Sequence, residues 1–173
     1  MTKYGGNVAG LFWNAGAVLL FFIGVVAASP REIISAILNI ASPCTYMLFG
    51  HKNWGVALGA SLGLIGTFLA VQPQILAGET SSVIGFTVFF FCIMLGIFSA
   101  PLAHRYAKSS NSFLRQTLGH PRRMAGYMGI FFTRLPIAYG SMKHGRWQLA
   151  LVFAIWALGD FAYSFSRPHS KHI

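Results

Sequence analysis

Arg134 stands in Phe131-Phe132-Thr133-Arg134-Leu135-Pro136 and Asp160 in Ala157-Leu158-Gly159-Asp160-Phe161. Both lie inside stretches apolar enough to cross a bilayer. An ionised group at bilayer depth costs about 3 kcal/mol on insertion scales, so it faces a bundle interior, a water-filled cavity or a partner of opposite sign. Arg134 can hold an anionic group of a substrate while Asp160 titrates or balances the charge. The alternative is a fixed ion pair that locks two helices, or an arginine whose head snorkels to the interface. Counted from the turn between their two spans, their backbones differ in depth by about six residues, roughly 9 Å, much of which an arginine side chain can close.

Other polar groups lie in apolar runs. Asn14, Asn39 and Thr133 are substrate- or ion-binding candidates, each equally able to bond a neighbouring helix. Pro43 and Pro136 are candidate helix breaks, because proline removes a backbone donor and crowds the preceding turn. Gly55, Gly59 and Gly63 recur every four residues, a stripe that admits another helix, from this chain or from a second copy. The Met, Phe and Trp side chains elsewhere need only be lipid-facing bulk.

Several chemistries are disfavoured. The six histidines, at 51, 104, 120, 144, 169 and 172, fall in loops, at span ends or in the tail. None is placed for a membrane haem, and no metal site or cofactor is expected. Cys44 and Cys92 lie in apolar runs and read as small membrane residues rather than a disulfide framework. There is no catalytic triad, paired carboxylate motif or phosphate-binding glycine loop, so catalysis is not expected.

The elements that must position these groups follow from apolar run length. The chain has 173 residues, 55% apolar and 9% charged, against roughly 25% charged in soluble domains. About 20 apolar residues span a bilayer core. The runs predict an all-α polytopic membrane bundle of six transmembrane helices in a single domain, at 9–28, 33–49, 54–71, 83–103, 124–139 and 147–165. Ser29-Pro30-Arg31-Glu32 reads as a helix start, with proline in the first turn and a carboxylate at the positive end of the helix. The loop 104–123 is expected at the membrane surface, as a short amphipathic helix or a flexible basic segment.

Six crossings put both termini on one side. That side carries Lys3, Lys52, Arg105, Lys108, Arg115, Arg122, Arg123, Arg167 and Lys171, against Arg31, Lys143 and Arg146 on the other. The imbalance predicts cytoplasmic termini in a multi-pass protein, with a bacterial inner membrane as the expected location. The net charge of +10 is then matched to anionic lipid headgroups rather than to nucleic acid, for which no binding pattern is present.

A shift of 93 residues lays Pro43, Tyr46, His51, Trp54, Ala57, Leu58, Gly66 and Phe68 over Pro136, Tyr139, His144, Trp147, Ala150, Leu151, Gly159 and Phe161. If this is a duplication, three-span halves at 9–72 and 82–166 form inverted repeats, an arrangement common in secondary transporters. The alternative is that two tight Pro/Tyr/Trp hairpins converge on one geometry. The stretch Ser35–Gly66, with Tyr46, Gly50 and Lys52-Asn53-Trp54, resembles the second and third helices of the three-helix units of the PQ-loop and SWEET families over less than a fifth of the chain. Those units carry Pro-Gln in their first helix, whereas Pro73-Gln74 here follows the third span, and their repeats are parallel. No functional residue is therefore carried across.

The leading expectation is a small transporter or channel-like protein for a small polar solute or ion. The competing one is a non-transporting accessory subunit, or an immunity or exclusion factor, acting by helix–helix contact with a membrane partner or a second copy.

Overall fold

A computed structural model describes residues 4–49 and 52–165; Lys3, His51, Arg167, His169, Lys171 and His172 lie outside the described residues. The described residues are helical without strands. In order they form α1 (Tyr4–Val26), α2 (Pro30–Phe49), α3 (Asn53–Leu76), α4 (Thr80–Ile97), α5 (Ser99–Tyr106), α6 (Ser112–Gln116), α7 (Pro121–Met128), a π-helix (Gly129–Arg134), α8 (Leu135–Lys143) and α9 (Trp147–Ser164). Five of these, α1–α4 and α9, are long and apolar enough to cross a membrane. The three segments from Pro121 to Lys143 follow one another without a break in right-handed backbone, so they make one further 23-residue helical run.

Three turns share one construction. After α1, α3 and α8 the N–H of the third residue past the helix bonds five residues back: Ser29 to Gly24, Glu79 to Gln74, and Arg146 to Ser141, at 2.8–2.9 Å. The preceding residue bonds three back in each case. This is the Schellman closure, which requires a left-handed residue at the corner. Gly78 and Gly145 supply it at φ 74° and 69°, while Ala28 adopts φ 49° without that freedom. All three turns lie at the same end of the bundle, since Glu32 meets Arg146 and Glu79 meets Lys143 and His144.

Several boundaries differ from those read off the sequence. The third run reads as ending at 71, but α3 continues through Pro73 to Leu76, burying Gln74. The fourth run, expected at 83–103, is interrupted at Phe98, where α4 ends and α5 begins. The 104–123 loop takes in the end of α5 and the start of α7, and between them only the five-residue α6 is helical, capped by Asn111, whose side-chain oxygen accepts from the N–H groups of Phe113 and Leu114. Pro43 does not break α2, which stays α-helical to Phe49.

The core lies between α1, α3, α8 and α9, around Leu20, Val71, Ile137, Leu149, Val152, Phe153 and Trp156. The glycine stripe of α3 faces α2: an added Cβ at Gly55 would meet Phe49, and one at Gly59 or Gly63 would meet Tyr46 or Ser42. The stripe is thus used within the chain. Ser42 donates to the carbonyl of Gly59 at 2.7 Å and Ser35 to that of Gly66 at 2.6 Å. Small residues bring the backbones close enough for these bonds.

Candidate functional site

Pro136 offers no N–H and crowds the carbonyl four residues earlier. Just before it the chain widens into a π-turn, with Leu135 N–H bonding Ile130 across five residues. Single π-turns recur at functional positions because the extra residue re-aims a side chain. Here the re-aimed residue is Arg134, the last of the turn. Its Nε donates to Asp160 Oδ2 at 2.8 Å, and the pair is 4% and 8% exposed.

Four elements build the surroundings. From α1, Trp13 donates its ring N–H to Asp160 Oδ1 at 3.0 Å. From α4, Phe89 lies under the guanidinium with its ring centroid 4.5 Å from Cζ; from α9, Trp156 and Phe153 stand at 5.2 and 5.9 Å. Cations within about 6 Å of an aromatic face are attracted by the ring quadrupole. Gly129 makes room for the carboxylate, since a Cβ there would come within 2.7 Å of Asp160 Oδ2.

The seam between α1 and α9 is reciprocal. The Trp156 ring packs on Gly16 and the Trp13 ring on Gly159. Trp156 donates its ring N–H to the Trp13 carbonyl at 2.9 Å. Each tryptophan sits in a glycine notch of the opposite helix, and both ring donors are used.

Two buried polar atoms of the π-turn, Thr133 Oγ1 and Arg134 Nη1, are left without a hydrogen-bond partner among the described residues. A guanidinium carries five N–H donors in a planar fork, and a buried unsatisfied donor costs roughly 1–3 kcal/mol. The arrangement is a desolvated cation with an acid on one side, aromatic faces around it and an unused N–H. The chemical complement of that N–H is an acceptor atom.

The sequence-derived candidates separate into two groups. Arg134, Asp160 and the fully buried Thr133 converge on the π-turn, where the backbone of Thr133 packs against Gly85 of α4. Asn39 does not join them. Its amide donates to the Ser35 carbonyl at 2.9 Å and its oxygen accepts from Thr67 at 3.4 Å, within the α2–α3 seam. Asn14 has a buried side-chain oxygen without a hydrogen-bond partner among the described residues.

Sequence reading missed two features. Trp13 and Trp156 read as lipid-facing bulk, although both ring N–H groups are specific donors. Gln74 donates to Ser141 Oγ at 2.7 Å and accepts from Ser82, joining α3, α8 and α4. Ser141 in turn donates to the Ile137 carbonyl at 2.8 Å, one turn from Thr133 on the same helix face. The available signal was a glutamine directly after a proline in an apolar run, which reads equally well as a loop.

At the end where the three turns meet, every acid is paired. Glu32 Oε1 accepts from Arg31 and Arg146, both at 2.7 Å. Glu79 meets Ser81, His144 and Lys143 at 2.9, 3.1 and 3.3 Å. The Ser81 hydroxyl foremost, with Lys143 and His144, holds the Glu79 carboxyl below the usual carboxylate range against desolvation.

Compared with protein-family models, curated proteins and solved structures, the chain matches none.

Proposed function

We propose that this chain is a small multi-pass membrane transporter or channel-like protein that moves a small anionic solute or ion past Arg134 and Asp160. The carrying observation is the unused Nη1 donor of Arg134, buried beside its carboxylate at a π-turn where α1, α4 and α9 meet. Five apolar helices together with the Pro121–Lys143 run support six crossings. Nine basic residues on the side of both termini support their cytoplasmic placement, in a bacterial inner membrane.

The inverted-half reading is supported by the two hairpins that match at a 93-residue shift. The turn between α8 and α9 lies at the Glu32/Glu79 end, and the connection between α2 and α3 at the opposite end. Trp13 comes from the first half and Arg134, Asp160 and Phe89 from the second, so relative movement of the halves would open and close the charged centre, as in rocking transporters. An incoming anion would bind Nη1, and Asp160 would keep the cation neutral when the ligand leaves.

One observation favours the competing class, a membrane subunit that binds a partner: the ion pair is already closed at 2.8 Å, as a purely structural lock would be. Charge movement in proteoliposomes separates the two. A panel of chloride, phosphate and small carboxylates is expected to give a current above that of empty vesicles for at least one anion. R134Q should abolish that current while helical content and monodispersity are retained. No current for any anion, or an unchanged current in R134Q, overturns the transport reading and leaves the structural lock.

A further inference from the structure

Away from the ion pair, an open apolar groove of about 330 Å³ runs along the second half of α4, lined among others by Met94, Leu95, Phe98, Leu102, Met124 and Met128. Its volume falls in the range of ligand clefts, roughly 300–1,000 Å³. It differs from an ordinary lipid-facing surface in three ways. It is concave, formed where α4, α5 and α7 meet. Methionine is prominent in its lining, a side chain that adapts to flexible apolar ligands. And two residues close in sequence to its lining, Arg105 and Arg123, are basic and exposed.

That charge comes from residues next to the lining in sequence. Leu102 is followed one turn later by Arg105, in the last turn of α5. Met124 is preceded directly by Arg123, in the first turn of α7. Both arginines are exposed, and Arg105 stacks on Tyr106 at 5.4 Å. The chain has three acids, and none is here: Glu32 and Glu79 lie at the opposite end, and Asp160 is bound to Arg134. An apolar groove with exposed arginines next to its lining in sequence, and no acidic side chain among the described residues nearby, complements a molecule with a long hydrocarbon tail and an anionic head.

We infer that this groove binds one anionic phospholipid, with an acyl chain along α4 and the headgroup phosphate on Arg105 and Arg123. The assignment rests on placing the helices in a membrane and is independent of transport. Arginine suits the headgroup because its planar fork matches phosphate in a bidentate way.

The test is native mass spectrometry of the full chain released from mixed micelles of phosphatidylglycerol and phosphatidylcholine with identical acyl chains. The wild type should retain phosphatidylglycerol in preference. Each juxtamembrane arginine contributes about a five-fold preference for anionic lipid, so R105Q/R123Q should lower the ratio by an order of magnitude or more. M128W, which fills the groove, should release both lipids. Wild-type retention without headgroup preference, an unchanged ratio in R105Q/R123Q, or a second copy of the chain retained in place of lipid would each overturn the assignment. Should M128W fail to fold, the arginine pair decides alone, because both residues are exposed. Lipid retention and anion current are separate readouts, so either proposal can fail without the other.

Discussion

The two hairpins that align at a 93-residue shift are held together by different chemistry. Subtracting 93 places Ala41 and Thr67 of the first hairpin at the positions of Arg134 and Asp160 in the second. In the α2–α3 hairpin the seam is neutral: Ser35 and Ser42 donate to carbonyls opposite glycines, and Thr67 bonds Asn39. In the other hairpin the corresponding place holds a desolvated ion pair ringed by aromatic side chains. The prolines differ in the same sense. Pro43 sits in an unbroken α-helix, whereas the helix ahead of Pro136 opens into a π-turn. The charges and the π-turn are thus features of the second hairpin that the first lacks.

The largest expected effect tests that contrast directly. D160A strands Arg134 in the interior, and removing one partner of a buried pair costs about 3–5 kcal/mol. T67A, at the matching position, loses one membrane-buried hydrogen bond, worth about 0.6 kcal/mol. Reversible unfolding in mixed micelles should show this ratio, and equal losses would erase the distinction between the hairpins. The double change R134M/D160L should recover much of the stability, because an apolar pair of similar volume avoids both desolvation penalties.

The second test concerns the turns. Three share the same closure, but the α1–α2 turn places Ala28 where the others have Gly78 and Gly145. A left-handed residue with a Cβ is strained by about 1–2 kcal/mol, so A28G should raise stability by about 1 kcal/mol, read as a higher unfolding midpoint. No gain would mean that the turn relaxes around alanine.

The smallest effect is at Glu79, which ties the α3–α4 turn to Lys143 and His144 of the second hairpin. Its folded carboxyl lies below the ordinary value of 4.5. A depressed folded value contributes stability above the unfolded value and loses it as pH falls through the folded one. Stability should therefore decline on acidification below about 4.5, and E79Q should flatten that decline in a pH series of unfolding midpoints. A wild-type slope retained in E79Q would assign the acid response to another group.

Much of the helical layout was legible because apolar run length is a strong signal and the start of α2 is punctuated by Pro30. Arg134 and Asp160 were legible as expensive charges, and their meeting follows from the hairpin that joins their helices. The π-turn was not, because its position depends on how α4 and α9 pack around Arg134, which no local propensity encodes. Gln74 was missed for a related reason: Pro73 reads as an end, yet a helix packed on several sides can absorb it. The tryptophan donors depend on glycine notches at least 140 residues away in the chain, so only the assembled seam reveals them.

The reciprocal notches of α1 and α9 give the protein a built-in optical probe. Trp13 shares its carboxylate with Arg134, and Trp156 stands beside the guanidinium and hangs from the Trp13 backbone. The remaining two tryptophans, Trp54 and Trp147, are exposed near the helix ends. Emission from Trp13 and Trp156 thus reports on the charged centre without any introduced label, and phenylalanine at 54 and 147 isolates it.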